Sequence, residues 1–445
     1  MSLKASISGI RGIVGDSLTP QILVNYLSSF SQILPAGIIL VGRDSRPTGK
    51  MILNIVKGVL IACGRDIVDI GIVPTPVVLF GVLQNRYSGG IIITASHNPS
   101  EWNALKFVND KGKFLSPAEF EKLSLIYDKN DFKYSEYDKI GKEVSNDKIT
   151  SLHTDKILSF IDVELIKKSH FKVALDAVNG AGGPHTINFL KNLGCEVVSL
   201  NCETNGIFPH PPEPKPENLM QLSDFIKENG ADIGFALDPD ADRLVVADEN
   251  GRVISEELTL AFCVYHYLKN YNKSDVVINT STSRVIEDIS FDFNCKVFRV
   301  PTGEINVTEK MESLEAKIGG EGNGGVILPE LNKCRDSLVG IALILEMLAK
   351  EKKTISTMAD NMPEYVFIKE KISSINCDFE NIVDKIKTEF RNQNIDTQDG
   401  IRIDFGDKWV LIRKSNTEPI IRIFAEAKNE SESVKLINKF KDICV

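Results

Sequence analysis

No CxxC pair occurs anywhere in this chain, and its eight cysteines (Cys63, Cys195, Cys202, Cys263, Cys295, Cys334, Cys377 and Cys444) are scattered with no clustering around histidine. That pattern argues against a disulfide framework or a thiolate metal site and suits a reduced cytosol. No positively charged start leads into an apolar segment, and no uninterrupted apolar run approaches the length of a membrane span, so neither a secretion signal nor a transmembrane helix is expected. Basic charge is in deficit: Lys and Arg number 52 against 61 Asp and Glu, a net charge of -9 with a pI near 5.4. A uniformly acidic surface repels phosphate backbones, which excludes nucleic acid and anionic membranes as main partners. Any phosphate site must then be locally basic. The expectation is a soluble, cytoplasmic protein.

What is present is a long globular chain, 445 residues with 42% apolar and 25% charged side chains. That exceeds what one core organises and implies three or four domains. Three stretches repeat one order of parts: an apolar strand, a helical pattern, a second strand, and a third strand opening into a distinctive loop. First strands read 39–44, 173–178 and 276–281; second strands read 67–72, 196–200 and 296–300. In the first copy Met51, Ile52, Ile55, Val56, Val59 and Leu60 recur at helical spacing. A crossover helix between strands implies parallel pairing with right-handed connections. Third strands end in loops at 94–99, 238–243 and 319–325, the carboxyl ends of parallel strands, where open α/β sheets bind ligands. Three such loops converging would build one composite site.

The fold class expected is α/β: three repeated α/β/α domains with mixed or parallel sheets, plus a smaller C-terminal α+β domain. The boundaries are placed at 1–150, 151–250, 251–360 and 361–445. In the last, strand patterns at 409–413 and 420–424 flank Lys414 to Pro419. The lysine-rich stretch 129–148 reads as a solvated connector.

The loops carry the chemistry. The run Ile91, Ile92, Ile93 stops abruptly in Thr94, Ala95, Ser96, His97, Asn98, Pro99, placing the Ser96 hydroxyl at a strand end. Ser96 is a candidate phosphoryl carrier; the alternative is an ordinary turn in which Ser96 and Asn98 are local caps. In Asp238, Pro239, Asp240, Ala241, Asp242, Arg243, alternate carboxylates can converge on a hard cation, magnesium being favoured for its oxygen preference; a solvated acidic turn is the competing reading. Arg11 lies in a loop punctuated by Gly9, Gly12 and Gly15 that permits close approach to an anion. Arg43 and Arg46 beside Asp44 read as a surface ion pair and helix start. Lys106, flanked by Leu105 and Phe107, is either an exposed strand ammonium, the favoured reading, or a proton shuttle. Arg413, Ser415, Asn416, Thr417 and Arg422 combine guanidinium, hydroxyl and amide donors, the set a phosphate dianion requires; a polar hairpin is the alternative. Glu321 and Asn323, amid glycines, offer acceptors for sugar hydroxyls, or simply mark a mobile turn.

Taken in order, TASHNP at 94–99, DPDADR at 238–243, GEGNGG at 320–325 and RKSNTEP at 413–419 resemble the motifs of the α-D-phosphohexomutase superfamily over essentially the whole chain. The resemblance implies four domains and transfer of phosphate between O6 and O1 of hexoses. It implies a phosphorylated Ser96 that holds magnesium together with Asp238, Asp240 and Asp242, and a hexose 1,6-bisphosphate as intermediate and activator. Arg11, His97 and Lys106 match the catalytic neighbourhood, with Lys106 as general acid/base. By the same resemblance Arg243 contacts the phosphoserine region, Thr302 and Gly303 the sugar backbone region, and Glu321 and Asn323 the hydroxyls. Arg413, Ser415, Asn416, Thr417 and Arg422 then clamp the non-reacting phosphate. The sugar loop departs from the common bacterial pattern, in which Ser and His follow the glutamate, since Gly322, Asn323, Gly324 and Gly325 stand there. The substrate is expected to be a hexose or hexosamine phosphate, glucosamine phosphate first, with phosphomannomutase/phosphoglucomutase as alternative, in a monomer or homodimer. Remoter readings are a magnesium-dependent sugar phosphatase and a non-catalytic sugar-phosphate sensor.

Overall fold

The computed structural model describes residues 3–373, 378–414 and 420–444. Its chain divides into two compact units, Met1–Cys263 with Asn323–Met358, and Val264–Gly322 with Ala359–Val445.

The first unit opens with a six-stranded sheet. Its strands are β1 (Lys4–Ser6), β2 (Gly9–Ile13), β3 (Ile39–Arg43), β4 (Ile67–Ile72), β5 (Gly89–Ile93) and β6 (Trp102–Val108), ordered β1-β2-β6-β5-β3-β4. β3 pairs in parallel with β4 and β5, and β6 returns antiparallel between β5 and β2. β5 is buried along its whole length, as a strand covered on both faces must be, which is why it reads as a continuous apolar run. One face packs Ile39, Val41, Ile91 and Ile93 against Ile52, Val56 and Leu60. The other packs Leu40, Val68 and Ile92 against Val77, Val78 and Val82. The helix Gly49–Ala62 buries Ile52, Leu53, Val56 and Leu60, the stripe expected from its spacing. Helix Pro117–Lys129 starts on a capping box: Ser116 Oγ accepts from the Glu119 N–H, and the Glu119 carboxylate accepts from the Ser116 N–H, satisfying two donors that a helix start leaves over.

A second sheet of the same unit contains β7 (Lys172–Asp176), β8 (Glu196–Leu200), β9 (Ile233–Leu237) and β10 (Leu244–Asp248), ordered β10-β9-β7-β8. In the second unit β11 (Val276–Asn279) pairs in parallel with β12 (Val297–Val300) and β13 (Ile318–Glu321). The repeat inferred from sequence is thereby visible in topology. In each copy the first strand lies between the second and third, all parallel. One expected boundary shifts. Residues 319–321 belong to β13, so the third loop begins only after Glu321 and ends where β14 (Gly325–Ile327) starts.

The last sheet is antiparallel throughout: β15 (Val366–Ser373), β16 (Asn394–Asp396), β17 (Ile401–Asp404), β18 (Trp409–Lys414) and β19 (Ile420–Ala427), ordered β15-β19-β18-β17-β16. Helices Phe379–Glu389 and Glu430–Cys444 cover it, burying Ile382, Ile386, Leu436, Ile437 and Phe440 against Ile401, Val410, Ile412 and Ile423. This is the smaller α+β piece expected. Among the described residues no helix is long and apolar enough to cross a membrane, and seven cysteines are free thiols.

Candidate active site

At the end of β5 the chain turns where Thr94 Oγ1 donates to Asp44 Oδ2 at 2.7 Å and accepts from the Ser96 N–H at 2.9 Å. Ser96 itself takes a left-handed backbone conformation, φ 50°, uncommon outside glycine and frequent at functional turns. Arg46 holds that turn. Its guanidinium donates to Asp44 Oδ2 (3.0 Å) and to the carbonyls of Ser96 (2.6 Å), Asn98 (2.6 Å) and Pro99 (2.7 Å), and it lies 4.9 Å from the Phe208 ring centroid. The expectation of a surface pair at Asp44 and Arg46 is therefore overturned, because both side chains are 0% exposed. Three inward-facing carbonyls require a buried donor set, and the planar guanidinium supplies it. Arg11 Nη1 donates to Asn98 Oδ1 at 2.6 Å on the other side of the loop.

So fixed, the Ser96 hydroxyl donates to Asp238 Oδ2 at 2.8 Å, across 142 residues of sequence. His97 Nδ1 lies 3.3 Å from the same hydroxyl. Burial, with Arg243 and Arg11 nearby, pushes the His97 pKa well below its ordinary value, leaving the ring neutral at pH 7.

The three carboxylates sit on the β9–β10 turn, folded back by a left-handed Ala241, φ 52°. Asp238 Oδ1 accepts the N–H groups of Asp242 and Arg243, both at 3.2 Å. Asp240 Oδ2 accepts from Lys106 Nζ (2.6 Å) and Thr75 Oγ1 (2.7 Å). Asp242 Oδ2 accepts from Arg335 Nη2 at 2.6 Å and lies 3.6 Å from Lys106 Nζ. The remaining oxygens, Oδ1 of Asp240 and of Asp242, are buried with no hydrogen-bond partner. All three residues are 0% exposed, and one ligand atom from each lies within 4.8 Å of the others. Burial and the two neighbouring carboxylates push Asp238 well up. Burial acts the same way on Asp240, but Lys106 and its hydrogen bonds overcome it and hold that pKa below its ordinary value. Two desolvated oxygens that accept no hydrogen bond, beside a carboxylate under repulsive strain, fit a divalent cation, whose charge removes the repulsion. A solvated acidic turn would show none of this.

Lys106 departs from its favoured reading. It is 5% exposed, on β6 facing the acidic turn, because β6 is buried on both faces and its ammonium ends between Asp240 and Asp242. Burial lowers its pKa, and the two carboxylates more than reverse this, so it is raised. Arg243 lies 3.9 Å from Asp242 Oδ1 and 3.7 Å from Glu213 Oε1.

Of the remaining candidates, Asn323 belongs to the first unit and lies beside Gly325, while Thr302, Gly303, Glu321, Arg413 and Arg422 belong to the second. There Arg413 Nη1 donates to Thr302 Oγ1 at 2.6 Å, Gly303 N–H to Glu321 Oε1 at 3.3 Å, and Arg422 faces Arg413 in the β18–β19 register. Gly303 has φ 128°, a conformation glycine alone adopts readily. Ser415, Asn416 and Thr417 lie outside the described residues. Sequence reasoning passed over Thr75, Arg335, Asn279 and Asp399. Asn279 Nδ2 donates to Glu321 Oε1 (2.9 Å), and Asp399 Oδ2 accepts the Thr302 N–H (2.9 Å) and stands 3.4 Å from Arg413. The Thr75-Pro76 helix start after β4 was a readable signal for the first, and the end of the strand read at 276–281 for Asn279; Arg335 and Asp399 lie outside every motif singled out.

Four family profiles match in series. Those for phosphoglucomutase/phosphomannomutase alpha/beta/alpha domains I, II and III match residues 3–134, 151–251 and 256–365, and that for the phosphoglucomutase/phosphomannomutase C-terminal domain matches 375–441. The chain is 37% identical to a phosphoglucomutase/phosphomannomutase of Thermococcus kodakarensis over 433 residues, 96% of this chain and 94% of the relative. It belongs to the phosphoglucomutase/phosphomannomutase family. Within that family it is also 33% identical, over 98% of its own length and 97% of the relative's, to a phosphoglucosamine/phosphogalactosamine mutase of Sulfurisphaera tokodaii. A crystal structure of a phosphoglucomutase/phosphomannomutase family protein from Burkholderia thailandensis superposes with a TM-score of 0.85 at 26% identity, covering 99% of this chain and 97% of that one.

Proposed function

We propose that this chain is a phosphohexose mutase in which Ser96 carries the phosphoryl group, acting on glucosamine 6-phosphate and forming glucosamine 1-phosphate. The observation that carries the reading is the 2.8 Å bond from Ser96 Oγ to Asp238, which puts a nucleophilic hydroxyl on a buried, cation-ready carboxylate cluster. Asp238, Asp240 and Asp242, with the Ser96 phosphate, would hold magnesium, which supplies charge neutralisation at the transferring phosphoryl group. Phosphoryl transfer asks a protein mainly for alignment and electrostatics.

The residues divide that work. A sugar hydroxyl attacks the phosphorus on Ser96; the bond from phosphorus to Ser96 Oγ breaks while that to the sugar oxygen forms. Lys106, kept cationic by Asp240 and Asp242, gives a proton to the departing Oγ, and the hydroxyl's proton leaves to restore it. Neutral His97 holds Oγ in line, and Arg11 and Arg243 balance the phosphoryl charge. The reverse transfer from the other end of a hexose 1,6-bisphosphate regenerates the phosphoserine. Thr302 and Gly303 are assigned to the sugar backbone, and Glu321 and Asn323 to its hydroxyls. Arg413 and Arg422, together with Ser415, Asn416 and Thr417, are assigned to the distant phosphate. We place the domain boundaries near 150, 250 and 360, and the protein acts as monomer or homodimer.

Similarity to the Sulfurisphaera tokodaii enzyme supports the amino sugar, and similarity to the Thermococcus kodakarensis enzyme supports mannose or glucose phosphate as the second reading. Parallel assays with glucosamine, mannose and glucose 6-phosphates under identical activation by bisphosphate decide between them. Steady release of inorganic phosphate from all three, without isomerised product, would refute the mutase reading in favour of a phosphatase.

A further inference from the structure

We propose that Arg335 is a positioning residue for cation binding: it fixes the plane of the Asp242 carboxylate, and the bare backbone of Gly325 is what admits it. This rests on the reading that the acidic trio holds a divalent metal. Asp240 and Asp242 are built alike. Each has one oxygen held by a cation, Lys106 on Asp240 Oδ2 and Arg335 on Asp242 Oδ2, both at 2.6 Å, and each leaves Oδ1 buried without a hydrogen-bond partner. A free carboxylate turns readily about its terminal torsion. One anchored by a guanidinium on a single oxygen presents the other in a set direction, which is how outer residues orient metal ligands. Because that second oxygen is already desolvated, a cation reaching it meets no further cost of stripping water from the ligand.

The route of Arg335 to Asp242 passes over Gly325. A Cβ at residue 325 would stand 2.2 Å from Arg335 Cδ and 2.8 Å from Cγ. These are mid-stem atoms, tied at one end to the backbone and at the other to Asp242. A methyl group there cannot be avoided by swinging the tip; it displaces the stem and pulls the guanidinium off the carboxylate. Gly325 and Arg335 are therefore one device.

The test measures Mn2+ affinity of the full-length protein by isothermal titration and by electron paramagnetic resonance, with no substrate present. Arg335→Gln should weaken Mn2+ binding roughly 10–100-fold. Arg335→Lys, which keeps the charge but not the fork, should lose less. Gly325→Ala should reproduce the loss with Arg335 still in place, and the double variant should be no weaker than the worse single one, since both remove the same contact. Asp242→Asn serves the underlying reading: if it binds Mn2+ as wild type does, the trio is not the metal site. If Asp242→Asn loses the ion while Arg335→Gln binds as tightly as wild type or tighter, or the two single losses add, the positioning role is wrong. Arg335→Gln decides the matter alone should Gly325→Ala not fold.

Discussion

Replacing Lys106 by Met leaves Asp240 buried with only Thr75 as a neutral donor on Oδ2. Breaking a buried pair by removing one partner costs about 3–5 kcal/mol, but the carboxylate has an escape: it can take a proton. For a carboxyl of ordinary pKa 3.8, protonation at pH 7 costs about 4 kcal/mol and at pH 5 about 1.6 kcal/mol, at about 1.36 kcal/mol per unit. Removing the lysine raises the folded-state pKa of Asp240, so the variant's deficit relative to wild type is largest above that raised value and shrinks as pH falls toward 5. A divalent ion offers a second escape, because it replaces the missing charge. Thermal unfolding of Lys106→Met should therefore show a deficit of about 4 kcal/mol at pH 7 without metal, roughly half that or less at pH 5, and a larger recovery with added Mg2+ than wild type gains. Activity should fall about 10²–10⁴-fold, the range for a lost proton donor. A deficit independent of both pH and Mg2+ would refute the electrostatic account and leave only lost packing of the lysine stem.

Other outcomes follow from single contacts. Ser96→Ala should abolish isomerisation and phosphorylation, read by intact mass, while sugar phosphate binding by calorimetry persists, since the phosphate clamp is assigned to other residues. Arg413→Ala, removing a charged donor worth about 1.5–3 kcal/mol, should raise KM for hexose phosphate roughly 10–100-fold and leave phosphoserine content unchanged. Arg46→Lys should lower the melting temperature and the phosphoserine yield together, because a compact ammonium cannot serve Asp44 and three carbonyls at once; an unaltered melt would count against that clamp. His210 donates toward Asp176 at 3.0 Å; burial lowers its pKa, but that bond outweighs it and the value is raised. Its contribution is full below the unfolded pKa of about 6.5 and lost as pH rises through the folded one. Limited proteolysis of residues 201–215 should accelerate over that interval in wild type and show no such pH step in His210→Gln.

The strands were legible because buried parallel strands leave unbroken apolar runs, as at 39–43, 89–93 and 233–237. The loops were legible because each run ends abruptly in polar residues. The burial of two cations was not. Lys106 and Arg46 carry groups that composition assigns to solvent, and nothing local reveals that β6 is covered on both faces or that three carbonyls turn inward toward residue 46. Thr75 and Arg335 escaped for a related reason: their partners, Asp240 and Asp242, lie 165 and 93 residues away. The αL turn at Ser96 likewise depends on a distant arginine rather than on its own residue type.

The first unit closes only when residues 323–358 rejoin residues 1–263, and this sets an order for biosynthesis. Helix Ser337–Glu351 has 13 of its 15 residues buried and is capped by Asp336, the partner of buried His153 at 2.6 Å. A nascent chain halted at residue 263 exposes the apolar seat of that helix and lacks Arg335 at the acidic turn. Stable closure of the first unit must thus await translation past residue 351, a window in which chaperone capture competes with self-association.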